Sequence, residues 1–289
     1  MNTSFKAVSR VAVAGALLAV AGTSARADLG LTGAVGLPLN PTAQIPLPGG
    51  VRLQADYFDL GNINNSGGGA SIDLSDKFYG VHAAGRVGDQ VEVNGGISSL
   101  RSRLTTNNGA GLITSQSDNR TGLDIGAKYL FSRESDPVGV RLAAGAGYSR
   151  ALADNINVYV VGTKYFGELT GERVPVIGHL GLRYDRFRLG NLVAGGGGGG
   201  SDSRLSIFAG VELPIIRNGS LQFVGEIQSK NVSGGSSPYS ASLRYRPKSQ
   251  PYSASVGIQR QGLFNDNGLF VQLGYSFDTN KGDDSIATP

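Results

Sequence analysis

From residue 51 to residue 277, apolar side chains recur at every second position, in segments of about 8–12 residues separated by turn chemistry. "VRLQADYF" (51–58) sets Val51, Leu53, Ala55 and Tyr57 against Arg52, Gln54 and Asp56. "RLSIFAGVEL" (204–213) sets Leu205, Ile207, Ala209, Val211 and Leu213 against Ser206 and Glu212. "YSASLRYR" (239–246) and "YSASVGIQ" (252–259) alternate in the same way. Segments at 77–87, 91–97, 122–131, 138–149, 156–166, 174–185, 221–228 and 268–277 bring the total to twelve. The segment at 156–166, "INVYVVGTKYF", carries apolar residues on both faces and is the least regular, so ten or fourteen strands are the alternatives.

Alternation alone does not say which medium each face meets. In a β-sandwich the apolar face forms a core; in a membrane barrel it meets lipid and the polar face lines the inside. Connection length favours the barrel. The odd connections, at about 60–77, 101–121, 150–155, 188–203, 229–238 and 262–267, are long or rich in Gly and Asn, and the even ones are tight. Barrels sort their connections between two rims in this way. With the first strand running outward, Tyr129, Phe131, Tyr245, Tyr252, Tyr275 and Phe277 fall at one rim. Tyr57, Tyr148, Tyr184 and Tyr239 fall at the other, and such belts suit the two membrane interfaces. The expected fold is therefore all-β: a single antiparallel transmembrane β-barrel of about twelve strands spanning residues 51–277.

The last segment, "GLFVQLGYSF", resembles the closing strand of bacterial outer-membrane proteins, with Leu269, Val271, Leu273, Tyr275 and Phe277 on one face. That resemblance implies recognition by the barrel assembly machinery and closure onto the first strand. Here residues 278–289 follow it, and they are expected to be a disordered tail.

The ends and the composition refine the picture. Lys6 and Arg10 precede eleven apolar residues, Val11–Ala21, and "ARA" (25–27) supplies a small–x–small cleavage pattern, so residues 1–27 read as an export signal. Residues 28–50 are expected to form an N-terminal periplasmic segment. The signal holds three bases (Lys6, Arg10, Arg26) and no acid, which leaves 26 − 3 = 23 bases against 22 acids in the mature chain. A net charge near zero gives no case for nucleic-acid binding. The absence of Cys excludes disulfides and thiolate chemistry. Export and outer-membrane residence follow from these features, with outer-membrane lipid as the first partner.

Two further stretches, "GLTGAVGLPLNPTAQIPLPGGVRLQADYFDLG" (30–61) and "EIQSKN…SPYSASLRYRP…SASVGIQRQG" (226–262), resemble YjbH-like outer-membrane proteins. The resemblance implies a role linked to export or assembly of extracellular polysaccharide, with polysaccharide or export proteins as partners.

Candidate chemistry is sparse. A barrel lipase would place a nucleophilic Ser two positions from a His on one strand face. Position 84 follows His82 with Ala and position 181 follows His179 with Gly, so both His read as lumen-facing structural residues. Asp73 and Asp76, in the first long loop, have no His near them to build a rim protease. No His pair has metal-ligand spacing, no Cys is present, and the run Gly195–Gly200 lacks the Lys-Ser/Thr of a phosphate cradle. No catalytic residue, cofactor or metal is expected. Charges on the inward parity form the candidate site: Arg52, Asp56, His82, Glu92, Asp124, Lys128, Arg141, His179, Arg183, Glu212, Glu226 and Arg244. They serve either as cross-lumen ion pairs that stiffen the wall or as a mixed-sign lining for small solutes. The functional expectation is a structural or channel-type barrel linked to polysaccharide export. The alternatives are a general small-solute diffusion porin and a secreted glycan-binding β-sandwich.

Overall fold

The computed structural model describes residues 29–46, 49–67, 70–107, 113–133, 135–150, 154–166, 176–189, 200–216, 219–233, 235–247, 250–262 and 266–277. The expected export signal and C-terminal tail lie outside them. Twelve strands follow in chain order: β1 Val51–Gly67, β2 Ala70–Val87, β3 Val91–Asn107, β4 Ile113–Ser132, β5 Arg141–Ser149 and β6 Asp154–Tyr165. Then come β7 Ile177–Leu189, β8 Gly200–Pro214, β9 Leu221–Gln228, β10 Tyr239–Tyr245, β11 Tyr252–Arg260 and β12 Gly268–Phe277. Each strand pairs with its chain neighbours, and β12 returns antiparallel to β1, from Val51↔Phe277 to Phe58↔Phe270. The sheet is a closed barrel without an open edge. Closure removes the β-sandwich alternative.

Outward positions carry the apolar alternation. Val81, Ile97, Leu123, Val158, Leu180, Leu205, Ile227, Leu243, Val256 and Leu269 are each between 47% and 63% exposed, while the residues between them are turned inside. A ring of exposed aliphatics around a closed sheet is stable only against hydrocarbon, because in water it would be a continuous sticky belt. Tyr275 departs from the pattern. It keeps the outward parity of its strand yet is only 4% exposed, its ring lying 4.6 Å from that of Phe277.

Two expectations are corrected. The connections placed at 60–77 and 101–121 are largely strand, because β1 to β4 run to 17, 18, 17 and 20 residues and pair along their length. A spanning strand needs only about 9–11 residues, so these two hairpins extend beyond the bilayer thickness. Polar alternation in "RSRLTT" and "SQSDNR" is compatible with extended backbone, but its lack of apolar partners reads as loop. Asp76 is accordingly a buried strand residue and not a loop acid.

The second correction concerns residues 28–50. Residues 29–46 do not extend away from the barrel as a periplasmic segment; they are folded inside the barrel, and Leu29, Val35, Leu37 and Ala43 are at most 1% exposed. They form a compact irregular loop with two single bridges, Leu29↔Val35 and Gly36↔Pro41. Gly33 turns it at φ 82°, and a Cβ at Gly36 would lie 2.5 Å from the Asn40 carbonyl, so the loop can close this tightly only with Gly there. The same segment explains the irregular β6. Its inward Tyr159 and Val161 pack on Ala43 and Ile45, while its outward Ile156, Val158 and Val160 are exposed. Both faces of that strand are apolar because both have apolar neighbours.

The lipid-facing assignment has a direct consequence. Val256→Arg, at the middle of β11, is expected to cost about 2–4 kcal/mol in a bilayer, read as a lower urea midpoint for the vesicle-inserted protein. An unchanged midpoint would mean that this face does not meet hydrocarbon.

Candidate functional site in the barrel lumen

An irregular segment inside a barrel has no ladder partner for its peptide groups, and a buried N–H or C=O left unpaired is costly. The wall meets this need with side chains. Gln54 of β1 grips Leu29 at both ends of its peptide, accepting its N–H at 2.8 Å and donating to its carbonyl at 2.6 Å. Gln272 of β12 adds a second donor to the same carbonyl at 3.2 Å. An ion pair does the same at Val35. Glu92 of β3 and Lys128 of β4 lie 2.9 Å apart; Glu92 accepts the Val35 N–H at 3.0 Å, and Lys128 donates to the Val35 carbonyl at 3.0 Å.

Across the lumen the pattern repeats. Glu226 of β9 accepts the Leu39 N–H at 2.7 Å, the Asn40 amide at 3.0 Å and the Ser240 hydroxyl at 2.6 Å. Arg183 of β7 donates to the Leu39 carbonyl at 3.4 Å while held by Asp185 at 2.9 Å. Arg244 of β10 donates to the Gly36 carbonyl at 3.4 Å and to Glu212 at 3.0 Å. Thr163 of β6 accepts the Ala43 N–H at 3.0 Å. Eight strands (β1, β3, β4, β6, β7, β9, β10 and β12) thus hold one segment by polar contacts.

Apolar contacts complete the seal at two levels. Towards the rim of the odd connections, Leu31 and Leu39 join Phe58, Leu60, Phe78, Leu100 and Phe270, all buried; the Phe58 and Phe270 rings stack at 5.2 Å. Towards the other rim, Ala43 and Ile45 meet Leu130, Ala143, Tyr159, Val161 and Phe208. These inward aromatics were missed in the period-two reading, which treats the inward face as uniformly polar. The available signal was their parity: Phe58, Phe78, Phe208 and Phe270 share the face of Asp56, His82, Ser206 and Gln272.

The inward charges named from the sequence occupy this interior. Arg52, Asp56, His82, Glu92, Asp124, Lys128, His179, Arg183, Glu212, Glu226 and Arg244 are all buried; Arg141 is half-buried, its guanidinium 5.2 Å from the centre of the Tyr165 ring. They are neither simple cross-lumen pairs nor an open lining, since Glu92, Lys128, Arg183, Glu226 and Arg244 also bind the enclosed segment. His82 lies between two carboxylates, Asp56 at 2.8 Å and Asp124 at 3.2 Å, and Ser98 donates to Asp124 at 2.6 Å. Gly80 and Gly96 flank the imidazole, and a Cβ at either would collide with it.

His179 has a more suggestive setting. Thr163 lies 3.0 Å from its Nδ1 and Glu212 3.1 Å from its Nε2, a hydroxyl–imidazole–carboxylate order assembled from three adjacent strands. The hydroxyl is fully buried and already accepts the Ala43 N–H, and Glu212 also binds Arg244. The arrangement anchors the segment; a nucleophile would need a substrate beside it. Among the described residues no group of three or more His, Cys, Asp or Glu is placed to hold a metal.

No family model and no curated sequence matches the chain. Solved structures do. The COG4313 outer membrane channel from Pseudomonas putida F1 superposes with a TM-score of 0.52 at 9% identity, over 83% of this chain and 100% of that one. The KdgM porin aligns at 0.45 and 13% identity, over 78% and 99%. The translocator domain of the autotransporter NalP from Neisseria meningitidis aligns at 0.41 and 12%, over 84% and 91%. By its closed twelve-stranded sheet and its likeness to the COG4313 channel, the chain has the fold of an outer-membrane β-barrel.

The Glu92–Lys128 clamp is testable. Glu92→Gln leaves a buried ammonium without its counter-charge and is expected to destabilise the barrel by about 3–5 kcal/mol. The double variant Glu92→Gln/Lys128→Met should recover much of this loss, as read by denaturant unfolding of the refolded protein. Equal losses in the single and double variants would show that the two residues do not act as a pair.

Proposed function

We propose that the chain is a channel-type barrel of the outer membrane, closed by its own N-terminal segment, and that its cargo is saccharide. The single observation behind the channel reading is how residues 29–46 are held. Side chains of eight wall strands grip peptide groups one at a time, through contacts that water or a hydroxyl-rich solute can replace. A permanently filled barrel reaches the same end with wall side chains alone, as eight-stranded barrels do. Twelve strands enclose a wider lumen, and this one is wide enough to accept a folded segment of its own chain. The outward aliphatic ring and the closing-strand pattern of Leu269 to Phe277 support residence in the outer membrane, with lipid and the assembly machinery as partners. The likeness of 30–61 and 226–262 to YjbH-like proteins supports the saccharide cargo. No catalytic role is assigned.

Planar-bilayer recording decides among the readings. The full chain is expected to stay closed, and deletion of residues 29–46 to give steady stepwise current. A full chain that conducts as freely as the deletion would favour a general diffusion porin. A deletion variant that shows heat-modifiable gel migration, and so a closed barrel, but stays silent would favour a purely structural barrel.

A further inference from the structure

On the outside of the barrel, the face of β1 to β4 changes character row by row towards the rim of the odd connections. Val81, Ile97 and Leu123 are register partners and exposed aliphatics. One row higher stand Tyr57, Tyr79, Ser99 and Thr121, with the two rings 5.3 Å apart. The next row is Asp59, Lys77, Arg101 and Asn119. Arg103, one outward position further along β3, is the diagonal neighbour of Lys77 and donates through Nε to Ser115 at 3.3 Å.

Lys77, Arg101 and Arg103 are all exposed. Lys77 and Arg101 are the only two bases paired in register among the described strands. On β7, by contrast, Arg188 faces Asp154, and Arg186 stands between Ile156 and Ser203. Like charges directly opposite one another destabilise a sheet. None of the three bases forms an ion pair with a described carboxylate, and half-buried Asp59 is the one acid in their two rows. The patch therefore lacks counter-charge from its own wall.

Height decides what the patch meets. Outward residues follow one another at about 6.6 Å along a strand, and a tilt of about 35–45° leaves about 5 Å of that along the membrane normal. The polar zone of each leaflet is about 5–8 Å deep. With the Tyr row at the hydrocarbon boundary, Lys77 and Arg101 stand at the depth of lipid headgroups. The aliphatic rows directly below belong to the same column of wall, so one molecule with an anionic head and acyl chains covers both. Arg presents a planar fork to phosphate oxygens and Lys a point charge. A phosphate monoester, at about −1.5 to −2 near neutral pH, matches a surplus of two positive charges better than a singly charged diester does.

We propose that Lys77 and Arg101, with Arg103 beside them, dock the phosphate-monoester head of an outer-leaflet lipid, the chemistry that lipid A carries, while its chains lie over Val81, Ile97 and Leu123. The site is separate from the lumen and does not depend on whether the channel opens. The full chain in neutral detergent micelles would be titrated with fluorescent lipid A bearing both phosphates. Dephosphorylated lipid A, phosphatidylglycerol and phosphatidylcholine serve as comparisons. Lipid A is expected to bind about tenfold or more tightly than the other three and to weaken as salt rises. Lys77→Gln/Arg101→Gln should lose that preference. Arg133→Gln/Lys164→Gln, which removes the same charge at the opposite rim, should keep it, and heat-modifiable migration reports that both variants are closed barrels. Equal affinity for phosphatidylglycerol, unchanged binding by Lys77→Gln/Arg101→Gln, or an equal loss in the opposite-rim variant would overturn the site. Displacement of bound lipid A by inorganic phosphate or polygalacturonate would also overturn it, by assigning the bases to a soluble anion.

Discussion

A peptide group in hydrocarbon has no water to turn to, and a peptide group enclosed in a narrow lumen has little more. In this molecule both situations are met at once. On the outside the answer is the closed ladder, in which β12 meets β1 along eight residue pairs and no strand edge is left to the lipid. On the inside the ladder is already used up by the wall. The enclosed segment bonds some of its peptide groups to one another, as Gly30 to Ala34 and Leu31 to Pro38, and takes others from wall side chains at Leu29, Val35, Gly36, Leu39 and Ala43.

This requirement also accounts for the charges. A mixed set of buried Arg, Lys, Glu and Asp is a poor stabiliser by itself, because desolvation offsets most of the attraction between them. Here the ions have peptide dipoles to bind as well as each other. Glu92 and Lys128 form one clamp on Val35; Glu226 and Arg183 form another on Leu39 from opposite partners. Each clamp presents an acceptor and a donor, as a neighbouring strand would. The apolar contacts of Leu31 and Leu39 with the Phe58, Phe78 and Phe270 cluster, and of Ile45 with the Phe208 cluster, exclude water around those clamps and so strengthen them.

A lumen closed in this manner has a natural division of labour. The wall is continuous and rigid, since closure ties every strand to two neighbours. The enclosed segment is held by wall side chains and not by the ladder, and it leads into β1.

Period-two alternation from Val51 to Phe277 was enough to determine all-β architecture and the inward parity of residues such as Arg183, Glu212 and Arg244, because each is a local property of extended chain. It pointed to about twelve strands, and pairing around the closed barrel fixed that number. The export signal and the tail belong to the same local reading and lie outside the described residues. Tertiary structure alone decided what the inward face meets. The length of β1 to β4 depends on cross-strand pairing that polar residues accept but do not announce. The place of residues 29–46 depends on partners as far along the chain as Glu226 and Gln272, and no pattern within "LGLTGAVGLPLNPTAQIP" distinguishes a loop bathed in water from one held inside a wall. The difference lies in where the peptide groups of Leu29, Val35, Leu39 and Ala43 find their partners, and only the closed barrel supplies those side chains.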